Sequence, residues 1–458
     1  MNAVFFNEYI QTSPRFMTDF TPWTLFVDTG IISVLLLLGK LMRVKIRFIQ
    51  RLFIPPSLLA GFIGLSLGPH GFGIIPLSTQ TGTYAGILIA FIFGALPLIS
   101  QKAAKGDADN IGSMWAYSQA GMLLQWAFGG LLGLLVLNRI WPLNPAFGIT
   151  MPSGYCGGHG TAAIGQAFSQ FGYDEILTLA MTAATFGIVA AVIIGLIIIK
   201  WGTKKGHTSF LANYDDLPHE LQTGLLPGDK RESMGESSCS SISIDPLTFN
   251  LIIVAVIALG GYCISKTVSH FMPGFELPVF SCAFVVGIFI KKIFDKTRTS
   301  DYVCPQTIGH ISGAFTDFLV AFGIASIKIS VVIEYIIPLL ILLVSGLIAT
   351  LIYVLVMARK LMKECWFEKA IFTWGWFTGT MAMGIALLRV ADPKMRSRCL
   401  DNYALAYLFI APVEISLITF APVAFLNGYG LVFTGICLAA GLAVLATAYI
   451  KGWFIRKQ

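Results

Sequence analysis

Apolar runs recur along this chain, each close to the length a helix needs to cross a bilayer. With about 20 apolar residues as the ruler, the sequence predicts helices over 24–40, 53–68, 81–100, 113–137 and 174–200. It predicts a second series over 247–269, 277–292, 306–328, 331–358 and 400–426, and a last helix over 431–450. At membrane depth no water satisfies an open backbone, so an unbroken helix is the form such a run takes. Pro55 and Pro56 open the second run, as proline can at a helix N-terminus. Only 12% of the residues are charged, against about 25% in a soluble domain. The expected fold is an all-α integral membrane protein with about 11 transmembrane helices.

Basic residues orient these helices, because short cytoplasmic loops collect Lys and Arg. With the loop of Lys40, Arg43, Lys45, Arg47 and Arg51 in the cytoplasm, 27 of the 31 Lys and Arg fall on that side. Arg15, Arg139, Lys266 and Lys328 are the exceptions. The N-terminus is then outside and the C-terminus cytoplasmic. This threading requires segments 145–172 and 368–392 each to enter and leave on one side. The net charge of +7 is a topology signal and predicts no nucleic-acid partner. Residues 1–22 lack a basic stretch followed by an apolar core, so no cleaved signal peptide is expected. Eight scattered cysteines without a C-x-x-C pair read as free thiols.

Between two of the apolar runs lies Ser153-Gly-Tyr-Cys-Gly-Gly-His-Gly-Thr-Ala-Ala-Ile-Gly-Gln-Ala-Phe168. Each glycine costs a helix about 1 kcal/mol relative to alanine, so the cluster predicts a broken helix. Its part Gly160-Thr-Ala-Ala-Ile-Gly-Gln-Ala167 aligns with Gly379-Thr-Met-Ala-Met-Gly-Ile-Ala386 as G-T-x-A-x-G-x-A, at an offset of 219. Pro55, Ala60 and Gly64 share the spacing P-x4-A-x3-G with Pro278, Ala283 and Gly287, at an offset of 223. Two motifs in one order at nearly one offset predict an internal repeat. Five crossings precede the central loop, so the halves run in opposite directions, the plan of secondary transporters. The expected layout is an N-terminal repeat over 1–200 with re-entrant segment 145–172, and a cytoplasmic linker over 201–246. A C-terminal repeat over 247–427 holds re-entrant segment 368–392, and 428–458 adds an unpaired helix and tail.

A helix that stops mid-membrane leaves unpaired N–H or C=O groups. Its N-terminus suits a carboxylate, while freed carbonyls and hydroxyls suit a hard cation such as Na⁺. Ser153, Gly157, Gly158, Gly160 and Thr161 offer these on one side, and Thr373, Thr378, Gly379 and Thr380 on the other. The plainer alternative is that small residues let helices pack closely. His159 is either a buried histidine held by one hydrogen bond or a group that handles substrate or protons. It has no Cys or His at zinc-ligand spacing. The G-x-G at 158–160 follows no strand, so it is no dinucleotide fingerprint.

Asp317 and Glu414 fall inside apolar runs, where ionisable groups are costly and often functional. They are candidates for a cation or coupling role, with structural hydrogen bonding as the alternative. Arg389 and Asp392 lie at the end of the second re-entrant segment, and Arg389 either pairs with a substrate carboxylate or serves as a cytoplasmic anchor. Asp28 and Glu276 lie near the outer boundary. Ser153 and His159 on one glycine-rich loop make a poor catalytic dyad, and no enzyme is expected.

At Cys156-Gly-Gly-His-Gly-Thr161 the chain resembles the glutamate:sodium symporter (ESS) family of bacteria. The resemblance extends to Thr185-Phe-Gly-Ile188, to Glu276-Leu-Pro278 and to the two-half layout. It implies a bacterial inner-membrane carrier that takes up glutamate, or a related small anion, with Na⁺ as coupling ion and no other cofactor. It also implies two re-entrant hairpins in a transport domain that moves against a scaffold, within a homodimer. The family's site carries over to Ser153, Gly157, Gly158, His159, Gly160 and Thr161, and to Thr378, Gly379 and Thr380. The family's second hairpin has an Ala-Thr-Pro step, whereas this chain has Gly379-Thr-Met-Ala, with Trp374, Trp376 and Arg389 nearby. These departures, with the long linker and the added helix, bear on the substrate more than on the fold. A Na⁺- or H⁺-coupled carrier of another solute and a passive channel remain as alternatives.

Overall fold

The structure is a computed structural model. It describes residues 20–51, 54–99, 108–162, 164–169, 171–210, 223, 225–227, 233–240, 242–271, 278–392 and 396–455. The N-terminal segment with Arg15, the loop with Lys102 and Lys105, Glu276 and most of the expected linker lie outside the described residues.

All regular structure among the described residues is helical. The first three helices are α1 (Pro22–Lys45), α2 (Pro56–Leu67) and α3 (Thr81–Ile99). Then come α4 (Ala108–Leu132), the short α5 (Thr150–Tyr155), α6 (His159–Ala162) and α7 (Gly165–Ser169), and the long α8 (Asp174–Lys204). The second half has α9 (Pro246–Phe271), α10 (Val279–Thr297), α11 (Pro305–Ala325) and α12 (Ile336–Leu361). It ends with α13 (Trp366–Thr378), α14 (Met381–Ala391), α15 (Cys399–Leu426) and α16 (Gly430–Ile450). Among the described residues, 9 helices are long and apolar enough to cross a membrane by length and composition. The chain is thus a multi-pass, all-helical membrane protein. Of the other predicted runs, α2 is a 12-residue apolar helix, and α10 carries Lys291, Lys292, Asp295 and Lys296 in its last turns.

Local sequence explains the ends. Thr21 caps α1 through a capping box with Thr24, and Pro22 occupies the first helical position. The acids Asp174 and Glu175 open α8 and Lys204 closes it, matching the helix dipole. Arg359 and Lys360 close α12 in the same sense.

The helices sort into two groups. In the first, α3 packs on α9, α10 and α11, and α2 packs on α1 and α11. In the second, α4 packs on α12, α15 and α16, while α8 packs on α5, α7 and α13. The groups meet where α6, α7 and α8 face α11 and α3, and where α10 faces α15. At that boundary Thr419 Oγ1 donates to Ser281 Oγ at 2.6 Å.

Candidate functional site

Helix α8 serves as a ruler for both glycine-rich segments. Asn144, just before the first segment, donates to Glu175 Oε1 at 3.1 Å, at the start of α8. Gly154 lies against α8 so closely that a Cβ there would sit 2.5 Å from the Ala184 nitrogen. His159 Nε2 is 3.0 Å from Thr185 Oγ1. Gly165 then packs on Leu177, back near the start of α8. The segment therefore follows α8 from residue 175 to 185 and returns to 177.

The second segment follows the other end of the same helix. Phe367 packs on Gly202, and Trp374 Nε1 donates to Ala191 O at 3.1 Å. The Thr378 carbonyl fills the space over Gly187, and Leu387 of α14 comes back to Gly195. A Cβ on Gly375 would sit 2.6 Å from Gly384 Cα, so α13 and α14 touch glycine to glycine.

The two tips meet beside residues 185–191 of α8. A Cβ on Gly158 would lie 2.7 Å from Thr380 Cγ2 and 3.1 Å from Gly379 O. Gly157 has φ +96° and Gly158 φ +63°, both left-handed, so glycine is required for the turn as well as for the contact. Gly160 faces open space. Thr380 caps α14, its Oγ1 accepting from Met383 N at 3.3 Å.

Glu414 joins this meeting point from α15. A Cβ on Gly157 would collide with Thr161 Oγ1 and lie 3.5 Å from Glu414 Oε1, so hydroxyl and carboxylate flank one glycine. Tyr407 OH donates to Glu414 Oε2 at 3.0 Å, and the carboxylate is buried. A charge buried among apolar side chains is costly, so this carboxylate, with one hydroxyl partner, calls for either a proton or a cation.

His159 is fully buried. Thr185 Oγ1 gives its proton to Met181 O at 2.9 Å, so it accepts from His159 Nε2. This bookkeeping assigns the tautomer and leaves Nδ1 a buried acceptor without a partner. Leaving such an atom unpaired costs about 1–3 kcal/mol. Gly323 of α11 lies against the same ring, its Cβ position 3.3 Å from His159 Cδ2.

Other candidates fall elsewhere. Ser153 Oγ donates to Thr150 O at 3.1 Å and Thr378 Oγ1 to Trp374 O at 2.7 Å, so both hydroxyls serve their own helices. Asp317 is not at the tips. It lies on α11 beside Ser57 and within electrostatic reach of Lys40. Arg389 is exposed. Asp392 accepts from the amides of Arg396 at 3.0 Å and Ser397 at 2.7 Å, a turn-holding role. Asp28 is buried among Ser78 and Tyr84, which donate three hydrogen bonds to it.

Sequence inspection missed Gln125 and Tyr407. Gln125 Nε2 donates to Phe377 O at 3.0 Å and to Thr350 Oγ1 at 2.9 Å, bracing the second tip from α4. Its signal was an amide inside an apolar run.

The family model for the sodium/glutamate symporter matches residues 25–386. Sodium/glutamate symporters of Escherichia coli (strain K12) and Shigella flexneri are 24% identical over 275 residues, 57% of this chain and 61% of theirs. The chain thus spans about 61% of the length of the curated relatives it matches. The solved sodium proton antiporter MjNhaP1 from Methanocaldococcus jannaschii covers 86% of this chain and 99% of its own, at 15% identity and a TM-score of 0.42. A likeness that loose carries no argument. The family match covers most of the chain, from the end of the N-terminal segment to the second glycine-rich tip, and the chain belongs to the sodium/glutamate symporter family.

Proposed function

We propose that this protein is a secondary transporter that takes up glutamate, or a related small organic anion, together with Na⁺. The observation that carries this reading is the meeting of the two tips, Gly158 on Gly379 and Thr380, with Glu414 beside Gly157. The names of the family and of its curated members point to the same pair of solutes.

In this reading Na⁺ binds between Glu414, Thr161 and the carbonyl freed at Gly157, the Gly158 carbonyl already accepting from Ala162 N at 2.9 Å. The substrate's carboxylate takes the N-terminus of α14, where the free amides and the dipole favour an anion. His159 Nδ1 and the open face of Gly160 border the same space. Segments 145–172 and 368–392 are re-entrant hairpins entered from opposite sides. They lie in inverted repeats that bring the spans to about 11, with the domain limits expected from the sequence. Substrate crosses when the helices around α8 move against the group built on α3, α9 and α11. The N-terminus is outside, the C-terminus cytoplasmic, the membrane the bacterial inner membrane, and the assembly a homodimer.

Proteoliposomes test the reading. An inward Na⁺ gradient is expected to drive accumulation of L-glutamate above its equilibrium level. Accumulation that ignores Na⁺ and follows a pH gradient sinks Na⁺ coupling. Equilibration without accumulation points to a channel.

A further inference from the structure

Helices α4, α12 and α16 surround a half-open cavity of about 320 Å³. Small-molecule sites span roughly 300–1,000 Å³, so this one has room for a ligand. Gly346, Ala349 and Thr350 line it from near the middle of α12, and Leu438 from near the middle of α16. Both helices are long and apolar enough to cross a membrane. Leu124, Phe128 and Leu131 of α4 and Leu438 are half-buried and form an apolar rim. Beside it Ile348 and Ile352 of α12 and Ile436 and Leu442 of α16 are exposed. A mouth at this depth, among exposed apolar side chains, opens to acyl chains rather than to water. A ligand reaches it after partitioning into the bilayer.

The cavity has one unsatisfied polar group. Gln125, a lining residue, is 6% exposed. Its Nε2 donates to Phe377 O and to Thr350 Oγ1, and the Phe377 carbonyl, which can only accept, fixes which way the amide points. That leaves Gln125 Oε1 a buried acceptor without a partner among the described residues. The Tyr353 hydroxyl, also at the cavity, is committed to Tyr117 O at 2.7 Å. Buried polar atoms are normally paired, and each exception calls for an explanation. A bound water would need two to four polar partners, whereas this lining is almost wholly apolar. An apolar body carrying a single hydrogen-bond donor matches both the lining and the acceptor.

We propose that this cavity binds a neutral, membrane-soluble amphiphile, its aliphatic body among Leu124, Phe128 and Leu438 and its one hydroxyl donating to Gln125 Oε1. The site lies within the second helix group and is separate from the meeting point of the two tips. It still reaches the second tip, because Phe377 lines the cavity, accepts from Gln125 and precedes Thr378. The site rests on the cavity and on Gln125, and it stands whether or not the transport reading does.

The test uses the full-length protein and 1-decanol as probe, with its isomer 1-methoxynonane, which has no donor, as control. A ligand that binds the native state raises the melting temperature. In detergent micelles 1-decanol is expected to raise it by about 2 °C or more, and 1-methoxynonane by less than half as much. Ala349→Leu puts a larger side chain into the cavity and is expected to cut the 1-decanol shift by more than half. If Ala349→Leu does not fold, Leu438→Phe carries the same test. No shift with 1-decanol, an equal shift with the ether, or an undiminished shift in the filled variant overturns the proposal. Location is read separately, with an octanol bearing a diazirine, photolysed in proteoliposomes and mapped by peptide mass spectrometry. Labels are expected within 121–131, within 346–353 or at Leu438, and an excess of 1-decanol is expected to suppress them. Labelling confined to other segments overturns the site. Failure of Na⁺-driven uptake bears on the transport reading alone and leaves these readouts in force.

Discussion

One glycine and one glutamate concentrate the demands of the candidate site. Gly158 needs a left-handed backbone and has Thr380 where a side chain would go. Gly158→Ala therefore combines backbone strain of about 1–2 kcal/mol with separation of the tips. It is expected to lower the melting temperature and abolish Na⁺-driven uptake. Gly172 has φ +82° with open space around it, so Gly172→Ala isolates the strain and is expected to keep uptake. Equal loss in both variants removes the tip contact from the account. Glu414→Gln is expected to raise the Na⁺ concentration for half-maximal uptake about tenfold, or ~1.4 kcal/mol. Asp317→Asn is expected to shift it by less than about twofold, because Asp317 lies beside Ser57 and away from the tips. The sequence marked both acids as equals. Which acid turned inward depended on helix rotation, which an apolar run of even hydrophobicity does not encode.

At the scale of elements, α8 holds both segments at a shared depth. Its Gly187 admits the Thr378 carbonyl, so Gly187→Ala is expected to displace the second tip and impair uptake. Gly30 in α1 has nothing within 4 Å, so Gly30→Ala serves as the control. Access to the segments is also testable. In a background without native cysteines, Cys156 included, single cysteines over 153–161 are expected to label faster from outside. Those over 373–380 are expected to label faster from the cytoplasmic side, with substrate and Na⁺ protecting both sets. Equal initial rates from one face defeat the opposed-entry plan. The helices themselves were legible from length alone, and α8, α15 and α16 begin within a residue of the expected positions. The breaks were legible because glycines cluster there. The partner of each break was hinted at only by the repeat of G-T-x-A-x-G-x-A.

For the whole molecule, the helices divide into two groups, and the proposed transport cycle moves one against the other. Gly323 of α11 faces Met181 of α8 across the boundary, its Cβ position 3.1 Å from Met181 Sδ. A disulfide between Met181→Cys and Gly323→Cys is expected to form readily and stop uptake, with recovery on reduction. Undiminished uptake by the cross-linked protein means that the groups do not slide at this point. Contacts at the ends of its helices help to tie the second group. His207 meets Trp366 edge to face at 5.3 Å between ring centres, and Arg359 lies 4.6 Å from the same ring. Trp453 Nε1 donates to Asp109 Oδ1 at 3.2 Å, fastening the end of α16 to α4.

By itself the sequence determined a multi-span helical membrane protein with two glycine-rich interruptions. A bilayer leaves an apolar run of about 20 residues one stable backbone form, the helix, and a glycine cluster prevents that form from continuing. The tertiary structure alone decided which polar side chains converge. Successive residues turn about a helix at 3.6 per turn, so the direction of Glu414, Asp317 or Lys369 is settled only by the neighbours against which each helix packs. Those neighbours turned Glu414 to Gly157, turned Asp317 to Ser57, and buried Lys369 beside Cys399.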